Sequence, residues 1–70
     1  MNSNALRGVI VSKGLTYSEF SSQTGIKRTA LYRKLRGISE FDRSEIERII
    51  KVLQLSADQV SAIFFAEQVS

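Results

Sequence analysis

Residues 15–37 read LTYSEFSSQTGIKRTALYRKLRG, and this stretch decides the fold. Apolar residues recur at helical spacing on both sides of Gly25. A glycine between two such segments is typical of the left-handed residue that ends a helix. The stretch therefore predicts a helix at about residues 17–24, a short turn, and a second helix at about residues 28–36.

The first of these two helices has a well-marked start. Thr16 and Glu19 have the spacing of a capping box, in which each side chain bonds the backbone amide of the other residue. The same spacing recurs at Asp42 with Glu45 and at Ser56 with Gln59. These signals predict helices that begin at residues 17, 43 and 57.

The rest of the chain also has helical periodicity, and no alternating strand pattern is present. We expect one all-α domain over residues 1–70, a compact five-helix bundle that contains a helix-turn-helix. The helices are predicted at about residues 3–13, 17–24, 28–36, 43–53 and 57–68. Gly8 lies inside the first helix, where we expect it to allow the close approach of another helix.

The composition excludes most catalytic and metal chemistry. The chain has 70 residues and contains neither cysteine nor histidine. The chain therefore lacks thiolate ligands and imidazole, the commonest metal ligand. It also lacks the usual partners of a nucleophilic serine. The carboxylates are scattered, and the four glycines form no phosphate-binding loop. We expect no enzyme activity and no cofactor or metal.

Charge is distributed unevenly along the chain. Residues 1–37 hold seven basic side chains and one acid, whereas residues 38–70 hold three basic side chains and six acids. Five of the cations, and no acid, fall within residues 27–36. Such a cluster favours a surface that binds a polyanion such as DNA. The alternative is a solvated basic face on an ordinary bundle.

The predicted helix at residues 28–36 has two different faces. Leu31 and Leu35 have the spacing of a core face. The opposite face carries Thr29, Tyr32, Arg33 and Arg36. The N-cap position is Lys27, which offers no acceptor to the first amides and puts a cation at the positive end of the helix dipole. A bound anion would relieve both defects.

Residues 15–37 resemble the helix-turn-helix of phage Cro/C1-type repressors, the XRE family. Over roughly residues 5–66 the chain is similar to small Cro-like regulators of phages or prophages of Gram-positive bacteria, including the opening Leu6-Arg7-Gly8 and the closing Ile63-Phe64-Phe65-Ala66. The resemblance implies a lambda-repressor-like fold and a sequence-specific repressor whose helix 28–36 enters the major groove of a double-stranded operator. The chain departs from the family at Ser21, where alanine is usual, and at Lys27, where a small polar cap is usual.

The resemblance also implies roles for single residues. It places Tyr17 where relatives meet backbone phosphate. It places base contacts at Arg28, Thr29, Tyr32 and Arg33. With the neighbouring cations added, we expect phosphate contacts from Tyr17, Lys27, Lys34 and Arg36. For Tyr32 the alternative is a half-buried ring packed against Arg28.

Partners other than DNA are less strongly indicated. For the apolar strip of Ala62, Phe65 and Val69 two interpretations stay open. It joins two copies in a homodimer, or it has no such role because the C-terminus buries Phe65 within the monomer or because the exposure of Phe65 is without consequence. A second candidate function is a small phage antirepressor or modulator that binds another repressor protein. The chain has no apolar run long enough for a membrane span and no signal-peptide pattern. We therefore expect no membrane partner and a place in the bacterial cytoplasm, on the nucleoid.

Overall fold

The computed structural model describes residues 1–65, and the regular structure within them is entirely α-helical. The helices are α1 (Ser3–Ser12), α2 (Tyr17–Thr24), α3 (Arg28–Leu35), α4 (Arg43–Leu53) and α5 (Ala57–Phe64). The predicted fold class, all-α with five helices, is confirmed. Within residues 1–65 no helix has the length and apolar character needed to span a membrane.

Side-chain caps begin four of the five helices. The three predicted capping boxes are formed, at Thr16 with Glu19, Asp42 with Glu45 and Ser56 with Gln59. Asn2 caps α1, since its side chain accepts from the amide of Ala5 at 3.0 Å. In the first box the amide of Thr16 donates to Glu19, which holds the pKa of that carboxyl below its ordinary value.

One apolar cluster forms the core, and every helix contributes to it. Its buried members are Leu6, Ile10, Phe20, Ile26, Leu31, Leu35, Phe41, Ile49, Leu53 and Ile63. Helix α2 packs against both α3 and α4, and α5 packs against α1. Because Leu31 and Leu35 point into the core, the opposite face of α3 is directed outward.

Two expectations about the helices need correction. The close approach expected at Gly8 is wrong, because a Cβ built there would have no neighbour within 4 Å. Helix α5 ends at Phe64, whereas the sequence predicted a helix to about residue 68. Phe65 has left the helical conformation, with φ −118° and ψ 11°, and residues 66–68 lie outside the described residues.

Candidate nucleic-acid interface

The turn between α2 and α3 has its backbone groups bonded by nearby side chains. Gly25 ends α2 with φ 75°, a left-handed conformation that favours glycine. The hydroxyl of Ser21 donates to the carbonyl of Ile26. The Thr24 hydroxyl oxygen accepts from the amide of Ile26 at 3.3 Å, and the Thr24 carbonyl accepts from Arg48 at 3.0 Å. These bonds hold α3 in a defined direction relative to α2.

The outward face of α3 is polar and carries only positive charge. Its exposed members are Arg28, Thr29, Tyr32 and Arg33, with Lys27 and Arg36 exposed at the two ends of the helix. No acidic residue occurs within residues 27–36. The structure therefore brings the predicted base-contacting residues together on one surface, which we call the α3 face.

The start of α3 differs from the other helix starts. Lys27 is the N-cap, and it makes no side-chain hydrogen bond to the first turn. The predicted lack of a cap is confirmed. The first amides of α3 lie at the positive end of the helix dipole, and Lys27 and Arg28 add two charges of the same sign. A phosphate at this place would accept from these amides and balance the charge.

Two tyrosines join the two helices at the surface. The ring of Tyr17 at the start of α2 meets the ring of Tyr32 edge-on, with 5.6 Å between centroids and 75° between planes. Edge-to-face contact of this kind is favourable. Tyr32 stays 39% exposed, so the ring is supported by Tyr17 and still reaches solvent. The contact that the structure shows for this ring is with Tyr17, whereas the sequence offered packing against Arg28 as the alternative.

A family model described as helix-turn-helix matches residues 6–60, more than half of the chain. This protein belongs to the helix-turn-helix family. The match is to the XRE type, so the chain is a DNA-binding regulator. Searches of curated proteins and of solved structures gave no match. In this helix-turn-helix domain α3 stands at the position of the second helix, the one that reads DNA in such motifs.

Lys34 requires a correction within this helix-turn-helix. Its ammonium lies 2.6 Å from both carboxylate oxygens of Glu45, and the two side chains are only 15% and 12% exposed. Successive residues of a helix are rotated by about 100° around its axis. Arg33 therefore faces outward, whereas the next residue, Lys34, faces α4. The structure thus pairs this charge inside the protein, which argues against the phosphate contact predicted for Lys34.

Sequence reasoning missed two arginines that support the helix-turn-helix from other elements. Arg48 of α4 donates to the carbonyl of Thr24, and Arg7 of α1 donates to the carbonyl of Leu35 at 3.4 Å. The acceptors are backbone groups 24 and 28 residues away along the chain. No sequence pattern marks a contact to a distant carbonyl, so only the packing of α1 and α4 reveals these residues.

The apolar strip expected near the C-terminus is described only in part. Ala62 and Phe65 are exposed, Phe65 to 66%, and Val69 lies outside the described residues. Phe65 is therefore exposed among residues 1–65, and a side chain that is exposed without consequence remains the alternative to the homodimer. It lines an open groove with Arg43, Ile46, Glu47 and Ile50.

Replacing Lys27 with serine should stabilise the free protein and weaken its binding to DNA. Serine supplies the missing N-cap acceptor, worth about 1 kcal/mol, and removes a cation from the positive end of the helix. A gain of this size raises the melting temperature of so small a domain by about 4–8 °C. Thermal unfolding without DNA measures the first effect.

Lys27→Met is the matched control, because it removes the same charge and supplies no acceptor. It should melt clearly below Lys27→Ser, and both variants should bind random duplex DNA more weakly than the parent protein. A melting temperature for Lys27→Ser below that of the parent protein would contradict the uncapped start of α3.

Proposed function

We propose that this protein is a repressor that inserts α3 into the major groove of a specific operator. The observation that carries the proposal is the α3 face, on which exposed polar and cationic side chains stand without any acid at an uncapped helix start. The resemblance to Cro-like regulators of Gram-positive phages supports a repressor and a phage or prophage origin.

Base recognition is assigned to the middle of the α3 face. Arg28 and Arg33 carry guanidinium groups that can donate two parallel hydrogen bonds to guanine in the major groove. Thr29 offers a hydroxyl and a methyl group, and thymine presents a methyl group there. Tyr32, whose ring packs edge-on against Tyr17, offers a phenol at the surface. Such contacts provide the sequence preference.

Phosphate contacts are assigned to the ends of the same surface. Lys27 and Arg36 stand at the two ends of α3, and Tyr17 stands at the start of α2. The first amides of α3 add donors beside Lys27. Contacts of this kind fix the position of the protein on the duplex and supply affinity that is independent of base sequence.

We assign the groove beside Phe65 to a second copy of the chain. A twofold interface requires a patch that is complementary to itself. The composition of this groove suits that requirement, because the apolar residues Ile46, Ile50 and Phe65 are flanked by one cation, Arg43, and one anion, Glu47. Both charged side chains are largely exposed and only 3.9 Å apart, so each can exchange its partner for that of the second copy.

Selection of bound sequences from a random duplex pool at moderate salt tests the repressor proposal. The parent protein should enrich a palindrome whose half-sites lie about one helical turn apart, ~34 Å. The Phe65→Asp variant should enrich single half-sites, because a buried unpaired carboxylate opposes the dimer.

Operator binding and homodimer formation would be contradicted by different results of this selection. No enrichment with the parent protein would overturn operator binding and favour the modulator of another repressor. Enrichment of a single site by the parent protein would overturn the homodimer and leave the α3 face intact.

A further inference from the structure

Two charged residues of α4 contact the two helices of the helix-turn-helix. Glu45 accepts from the ammonium of Lys34 on α3 at 2.6 Å, and Arg48 donates to the carbonyl of Thr24 at the end of α2 at 3.0 Å. Glu45 and Arg48 are three residues apart and are therefore neighbours on one side of α4. This side of α4 thus contacts both α3, through Lys34, and the end of α2, through the carbonyl of Thr24.

Each partner of the ion pair between Glu45 and Lys34 makes a further contact that orients it. The Glu45 carboxylate also accepts from the amide of Asp42 at 2.9 Å, so its orientation is set by the start of α4. The Lys34 ammonium lies 5.8 Å from the ring centroid of Phe41, within range of a cation–π interaction. Both charged side chains are mostly buried, which makes the pair less sensitive to salt than a surface pair.

The contact to Thr24 is held in a similar way. The guanidinium of Arg48 donates from Nε to the carbonyl of Ser44 at 3.3 Å and from Nη1 to Thr24. Its Nη1 lies 3.2 Å from the place where a Cβ at Gly25 would be. The cation thus rests against the turn at the negative end of α2, where positive charge is favourable.

We propose that Glu45 and Arg48 are positioning residues that set the orientation of α3. Glu45 acts on α3 through its ion pair with Lys34, and Arg48 acts through the turn that precedes α3. The assignment rests on the proposed function, in which α3 reads bases. A change in the orientation of α3 moves the base-facing side chains, but it leaves the number of charges on the α3 face unchanged. Loss of either contact therefore lowers sequence discrimination without removing a phosphate contact.

Three variants remove these contacts with little other change. Lys34→Met and Arg48→Met keep the aliphatic stems, and Glu45→Gln keeps an oxygen for the amide of Asp42. Arg36→Met is the matched control, because it removes a cation that has no protein hydrogen bond among the described residues. Affinities for the selected operator and for random duplex are measured over a range of salt, at a temperature where every variant is folded.

The ratio of the two affinities should fall by at least about fivefold in the three variants, comparable to the loss of one base contact. Their salt slope should equal that of the parent protein. Arg36→Met should leave the ratio of the two affinities unchanged and reduce the magnitude of the salt slope by about 0.9. An unchanged ratio in the three variants would make the contacts ordinary stabilising ones and overturn the proposal. A smaller slope for Lys34→Met would make Lys34 a phosphate ligand and would also overturn it.

Amide hydrogen exchange without DNA separates this proposal from the proposed function. The amides of α3 should exchange faster in the three variants than in the parent protein, while those of α1 keep their rates. If the parent protein selects no DNA sequence, the proposed function fails, and unchanged exchange in α3 would overturn the positioning role on its own.

Discussion

A roughly fourfold rise in salt concentration should weaken the binding of this protein to duplex DNA by about 12-fold per subunit. The two ends of α3 carry the exposed cations that we assign to phosphates, Lys27 and Arg36. If both of them neutralise phosphates, the logarithm of the association constant falls against that of the salt concentration with a slope of about −1.8. Lys34 is excluded from this number because its charge is paired inside the protein.

Titration of a labelled duplex at several salt concentrations measures the slope. Lys27→Gln should reduce its magnitude by about 0.9, the share of one phosphate. Lys51→Gln removes an exposed cation from α4 and should leave the slope unchanged. Affinity that stays constant over the whole range would contradict phosphate binding, provided that the protein remains folded in each buffer.

Replacing Arg33 with alanine should cost about 1–3 kcal/mol in binding to the selected operator, a loss of roughly 5- to 150-fold. The loss should be smaller on random duplex, because a base contact adds little to binding that depends on phosphates alone. Preference at one base pair of each half-site should be relaxed. Competition titrations with operators changed at single positions measure both effects.

Arg36→Ala provides the comparison for Arg33→Ala, since both remove an exposed arginine from the same helix region. The Arg36 variant should bind all sequences more weakly by a similar factor and keep its preferences. Equal losses on operator and random DNA for Arg33→Ala would mean that Arg33 binds phosphate. The assignment of base contacts to the α3 face would then be wrong at this residue.

The helix starts could be predicted because their signals are local. Thr16, Asp42 and Ser56 each bond an amide three residues away, a distance that sequence spacing describes completely. The helix ends were harder to place. Helix α4 ends at Leu53 as predicted, although its capping residue Gln54 adopts φ 53° without being glycine, whereas Phe65 leaves the helix where apolar periodicity continued.

The composition of the candidate site followed from periodicity. Once Leu31 and Leu35 are recognised as core residues, a helix must turn Arg28, Tyr32 and Arg33 outward. Which of the cations are free could not be predicted in this way. The pairing of Lys34 depends on Glu45, eleven residues further along the chain, and no periodicity connects the two.

The sequence by itself determined the all-α fold, the capped helix starts and the polar, positively charged side of α3. These features depend on residues within a few positions of one another, since capping and helical periodicity are short-range. Only the tertiary structure decided that Lys34 is paired, that Tyr32 rests on Tyr17, and that α4 holds the turn through Arg48. These contacts join separate helices, so they exist only after the core has packed the helices together.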